Sequence, residues 1–177
     1  MSDKLKKEII DWVKTIAISL VLAFLIVQVI KPTIVSGESM YPTLNNKDYL
    51  ILNRLSYKFG DIKRGDIIVF KTDLKQDNGK EKDLIKRVIA IPGDHLVIMD
   101  SQVYLNDKLI EEPYIDNAYT SGDIDIVIPD GEVFVMGDNR ENSKDSRSED
   151  VGLVNESDIL GEVMIRLLPL NKIGSVD

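Results

Sequence analysis

Between Lys14 and Lys31 lie sixteen positions, TIAISLVLAFLIVQVI, that carry no charge, and wound as a helix they are apolar on every face. At about 1.5 Å per residue the stretch covers roughly 24 Å, slightly less than a hydrocarbon layer of about 30 Å. Lys14 and Lys31 can extend to the headgroups and Trp12 can sit at interface depth, so the pattern predicts a spanning helix from about Glu8 to Lys31. A buried core helix would keep a polar stripe. A cleaved leader would show a small-X-small site after the apolar run, and VQVIKPTIVSG offers none that is convincing. The retained anchor fits best.

Past Lys31 the period changes to short β-branched runs: YLILNRL, DIIVFK, LIKRVIAIPGD, HLVIMD, QVYLNDKLI, DIVIPDGEVFVMGDN and GEVMIRLLPL. Runs of this length, broken by Asp-Gly, Pro-Gly and Gly-Asp, predict a mainly β, antiparallel domain behind the one N-terminal helix. The expected division is residues 1–31 for the N-terminus and anchor and 32–177 for the β-domain. VYLNDKLI reads as a hairpin with Asn106 and Asp107 at positive φ. Lys71 to Asp83 reads as a solvated loop, and a short helical turn is expected near NESDIL.

Charge narrows the partners. The chain of 177 residues has net charge −8, with +2 up to Lys31 and −10 beyond it. No basic patch marks a nucleic-acid surface. Lysines on the short N-terminal flank place that end in the cytoplasm and the β-domain outside, with the lipid bilayer as a partner. Cysteine is absent, so no disulfide, thiolate metal site or thiol nucleophile is available.

Covalent chemistry must then use oxygen or nitrogen. In SGESMYPTL, Gly37 permits close backbone approach and Pro42 directs the chain, so Ser39 is presented with its own N–H beside its hydroxyl. A serine nucleophile needs a base. The one histidine, His95, opens a strand and reads as an exposed or core-edge side chain. Lys86 stands among Leu84, Ile85, Val88, Ile89 and Ile91, and burial there would lower its pKa; on an edge strand it would instead point to solvent. In MGDNRENSKDSRSEDVG, a solvated loop competes with a hydrogen-bonded shelf of Asn139, Ser143, Asp145 and Arg147.

SGESMYPTL, KRVIAIPGD and GDNRENSKDSR, in that order behind one anchor and with RGDIIVF between the first two, resemble bacterial type I signal peptidases of the short Gram-positive type. The resemblance implies a membrane-bound Ser/Lys endopeptidase that removes signal peptides from secretory preproteins after small residues, Ala-X-Ala in type. It implies Ser39 as nucleophile, Lys86 as general base, Ser143 positioning the amine, and Asp145 with Arg147 as an ion pair beneath the site. Gly37 replaces the serine that larger Gram-negative members use as second oxyanion donor, leaving a Gly37 backbone group, Ser36 or water for that role. Val35, Met40, Leu44 and Ile85 are the implied lining of the small-residue pocket.

The remaining motifs add nothing to this. RGD at Arg64 to Asp66 reads as a turn entering a strand, NES at Asn155 matches a short sequon, and neither metal nor other cofactor is expected. Competing readings are a self-cleaving repressor of the same Ser/Lys fold, a catalytically dead anchored paralogue, and a plain adhesive β-domain. No feature of the sequence sets an oligomeric state.

Overall fold

The computed structural model describes residues 3–76, 79–116 and 119–176. Its first element is helix α1, Asp3–Val29, none of whose residues is buried. The helix starts earlier and stops earlier than the apolar run predicts, because strand β1, Ile30–Ile34, begins at once. Lys31 therefore lies in a strand, with Leu52 as its cross-strand partner. The backbone N–H of Arg54 donates to the Val29 carbonyl at 2.8 Å, closing the junction.

Among the described residues eleven strands form two antiparallel sheets. In the larger, β1 pairs with β2 (Tyr49–Asn53), then come β11 (Ile159–Leu168), β3 (Ile67–Phe70), β4 (Leu84–Ala90), β9 (Glu132–Met136) and β10 (Val154–Asn155). The smaller is ordered β7 (Lys108–Leu109), β6 (Gln102–Leu105), β5 (His95–Met99), β8 (Ile124–Val127). The β6–β7 hairpin turns as expected, with φ of 51° at Asn106 and 65° at Asp107. β1 was not expected as a strand because its residues, IKPTI, run on from the anchor and include a proline; on this sheet edge Pro32 is tolerated. The NESDIL turn is a 3-10 turn at Glu156–Asp158. Lys71 to Asp83 is more ordered than a plain loop, since Lys75 bridges Glu81 and Thr72 Oγ1 donates to the Lys82 carbonyl at 2.6 Å; Asp77 and Asn78 lie outside the described residues.

Three apolar clusters of the described residues fill the interior. One joins Val35, Met40 and Leu44 to Leu50, Leu52, Ile67 and Val69. That cluster positions the site, because the segment after β1 is nailed to the core on both sides of Ser39.

Candidate active site

Ser39 is half-buried between exposed Glu38 and buried Met40. Backbone bonds curl the segment, from Tyr41 N–H to the Glu38 carbonyl at 3.1 Å and from Leu44 N–H to the Met40 carbonyl at 2.8 Å. Asn139, just past β9, ties it from the other side: its N–H reaches the Ser39 carbonyl at 3.0 Å and its Nδ2 the Glu38 carbonyl at 3.0 Å. Gly137 makes this approach possible. A Cβ there would collide with the Ser39 carbonyl oxygen and the Ser143 side chain.

Lys86 enters from β4, an interior strand between β3 and β9, which decides against the edge-strand alternative. The residue is 1% exposed, and its Nζ lies 2.7 Å from Ser39 Oγ. The amine also donates to the Ile85 carbonyl at 2.9 Å. Burial pulls its pKa down to about 8; Asp145 pushes it back up, and Lys82 at the rim lowers it further. The Ile85 carbonyl was not foreseen, since a main-chain acceptor leaves no mark in side-chain identity.

Asp145 and Arg147 pair as expected, through Nε–Oδ1 and NH2–Oδ2 bonds of 2.8 Å each, and Asp145 accepts from the Gly137 N–H at 3.0 Å. Burial raises the Asp145 carboxyl, but the Arg147 guanidinium and that N–H outweigh it and hold the group below the ordinary carboxylate range. Ser143 comes close to Gly137, and its buried Oγ faces the Asp145 carboxylate and helps lower its pKa; it makes no hydrogen bond to Lys86, whose amine is oriented by the Ile85 carbonyl.

Around Ser39 and Lys86 opens a cleft of about 1070 Å³ lined by Val35, Gly37, Met40, Val69, Ile85 and the rim residues Lys75, Glu81, Lys82 and Asp83, among others. Three of the four expected pocket residues, Val35, Met40 and Ile85, line it. Leu44 does not: the helical turn begun at Met40 points it inward, where it is 0% exposed. The Gly37 N–H donates to Asn46 Oδ1 at 3.2 Å, which occupies that candidate oxyanion donor.

Among the described residues three buried ion pairs escaped the sequence reading, one of them Arg140 with Glu112. Arg87 grips Asp138 through bonds of 3.0 and 2.8 Å under the Tyr114 ring, and Asp138 accepts from Thr43 Oγ1. Arg166 on β11 bonds Asp48 Oδ2 and the Thr43 carbonyl, both at 2.9 Å. Arg87 and Asp138 stand inside the motifs beside Lys86 and Asn139, a signal that was present but unread. His95 lies on the smaller sheet, 37% exposed in its side chain, with Nε2 2.7 Å from Asp125 Oδ1; that hydrogen bond raises its pKa. It takes no part in the cleft. No group of metal-ligating side chains occurs among the described residues.

Comparison with known proteins adds relatives. The family model described as signal peptidase, peptidase S26, matches residues 9–168. Signal peptidase I P of Bacillus subtilis subsp. natto is 40% identical over 181 residues, covering 95% of this chain and 94% of its own. Signal peptidase IB of Staphylococcus aureus (strain COL) is 34% identical over 187 residues, again covering 95% and 94%. A crystal structure of a signal peptidase I from Enterococcus faecalis V583 aligns at 27% identity and TM-score 0.47, over 58% of this chain and 96% of that one.

Proposed function

The chain belongs to the signal peptidase family, peptidase S26, and on that premise we propose that Ser39 and Lys86 form its catalytic dyad. Membership makes it a serine peptidase that removes signal peptides, and α1 fits a membrane anchor. The observation that carries the dyad is the 2.7 Å approach of a buried amine to a half-buried serine hydroxyl at the floor of an open cleft.

The chemistry follows from that contact. Ser39 Oγ attacks the scissile carbonyl while its proton passes to neutral Lys86 Nζ, and the Ser39 N–H faces the developing oxyanion. Collapse expels the amine of the mature chain, which takes the proton from Lys86. A water molecule, deprotonated by Lys86 Nζ, then attacks the ester; Lys86 returns the proton to Ser39 Oγ as it leaves, and the signal peptide departs as a carboxylic acid that ionises in water. Ser143 supplies a buried oxygen close by, Asp145 with Arg147 stiffens the strand end beneath, and Gly37 leaves the mouth open above Ser39.

Specificity for Ala-X-Ala sites is assigned to the apolar wall of Val35, Met40 and Ile85, against which a small side chain would lie. The lysine-rich flank favours a cytoplasmic N-terminus, which puts residues 32–177 on the outer face as the catalytic unit. Incubating purified protein in detergent with a preprotein beside a Ser39→Ala control tests the reading: the wild type cleaves and the variant does not. Cleavage by both would remove Ser39 from the chemistry.

A further inference from the structure

The loop that leaves β2 starts at the membrane end of the domain, because Arg54 is hydrogen-bonded to the last residue of α1. From Arg54 to Arg64 it reads RLSYKFGDIKR, four basic residues against one acidic, in a portion of the chain that is otherwise strongly acidic. Arg64 is engaged by Asp94. Among the described residues, Arg54, Lys58 and Lys63 are exposed and form no side-chain ion pair.

Between these cations the short helix α2, Ser56–Phe59, ends on a phenylalanine that is 86% exposed, more than any other large apolar side chain in the described residues. The exposure is held in place. Tyr57, two residues earlier, packs into the core and donates its hydroxyl to Asp66 Oδ2 at 3.0 Å, while the Gly60 N–H closes the turn on the Ser56 carbonyl at 2.9 Å. An exposed aromatic ring beside three exposed cations is a combination suited to an interface that is apolar in depth and anionic at its surface.

The length of α1 says what covers it. Only Thr15 to Val29 of the helix is free of charge, about 22 Å at 1.5 Å per residue, against a hydrocarbon layer of about 30 Å. A short span is relieved by drawing the flanking protein down into the interface. The flanking protein here is this loop.

We propose that the Arg54–Arg64 loop is a membrane foot, with Phe59 inserted at the acyl boundary of the bilayer that α1 crosses and Arg54, Lys58 and Lys63 binding anionic lipid headgroups. The proposal rests on α1 spanning the membrane and is independent of the dyad. It fixes the domain at a second point and biases it toward anionic bilayers.

Trp12 is the sole tryptophan, so a Trp12→Phe, Phe59→Trp chain reports on this position alone. The full chain is placed in phosphatidylcholine vesicles with or without phosphatidylglycerol, and cleavage of a preprotein confirms its fold. With phosphatidylglycerol, emission from position 59 shifts to shorter wavelength, is quenched by brominated acyl chains and is shielded from acrylamide. Adding Lys58→Gln and Lys63→Gln removes most of that protection. Emission open to acrylamide and untouched by brominated lipid, in a chain that floats with the vesicles, overturns the foot and leaves the anchor standing. Equal protection without phosphatidylglycerol overturns the headgroup binding. A chain that does not float sinks anchor and foot together.

Discussion

Lys86 Nζ sits 2.7 Å from Ser39 Oγ and 2.9 Å from the carbonyl of Ile85, its own neighbour in β4. The strand that buries the amine therefore also orients it. One N–H is spent on a main-chain acceptor, and in the neutral form the lone pair is left for the serine proton.

The pH dependence of cleavage follows. With Lys86 as the proposed base, the free amine is the active form and burial brings its pKa to about 8, so the rate falls about tenfold per pH unit below that value and levels off above it. Lys86→Arg is inactive, since a guanidinium stays protonated. Lys82→Gln removes a like charge and moves the limb to higher pH. His95→Ala leaves the profile unchanged. Profiles for these variants on one preprotein check the set, and a dead His95→Ala beside an active Lys86→Arg would overturn the dyad.

Stability carries the same signature with a defined sign. The folded pKa lies below the unfolded value of 10.5, so between about pH 8 and 10.5 the unfolded chain binds the extra proton and wild-type stability rises with pH. Lys86→Met lacks this rise and at pH 7 is more stable by up to about 3 kcal/mol, while inactive. Thermal denaturation in detergent across pH 7 to about 10 reads the difference. A constant gap between the two proteins would contradict the buried amine.

Gly137→Ala places a methyl group against the Ser39 carbonyl and the Ser143 side chain. Ser39 must shift, and for the proposed nucleophile a displacement of about 1 Å costs on the order of 10²-fold in rate. Turnover is measured with the melting temperature, which separates misplacement from unfolding. Wild-type turnover in a folded variant would mean that the segment gives way freely.

Arg87→Leu leaves Asp138 buried with its bidentate partner gone and costs about 3–5 kcal/mol. Replacing both residues by apolar ones recovers part of the loss, because the uncompensated charge goes too. A double variant no better than the single would assign the cost to packing around Tyr114.

On the substrate side, replacing the residue before the scissile bond by Phe stops processing, as the ring overlaps the wall formed by Val35, Met40 and Ile85. Efficient cleavage of that preprotein counts against this wall as the specificity pocket.

Where side-chain pattern set the structure, the sequence was readable: the unbroken apolar run became α1, alternation and turn residues marked most strands, and Asn106–Asp107 formed their hairpin. Ser39, Lys86 and the Asp145–Arg147 pair were visible through the resemblance of their motifs. What stayed hidden depended on geometry between distant segments. The inward turn of Leu44, the steric demand on Gly137 and the capture of the Gly37 N–H by Asn46 arise only when β1, β4 and the end of β9 meet.

The absence of any linker between α1 and β1 has a mechanical consequence. Val29 is helical, Ile30 is already in the sheet, and only five strand residues separate the helix from the segment carrying Ser39. At about 3.3 Å per residue, the six steps from Val29 to Val35 span at most about 20 Å. With no slack in the tether, a chain anchored through α1 as proposed would hold Ser39 at a set height above the lipid. Under the proposed anchor and dyad this makes the enzyme a depth gauge, in which distance from the bilayer would select the scissile bond alongside the identity of the residues beside it.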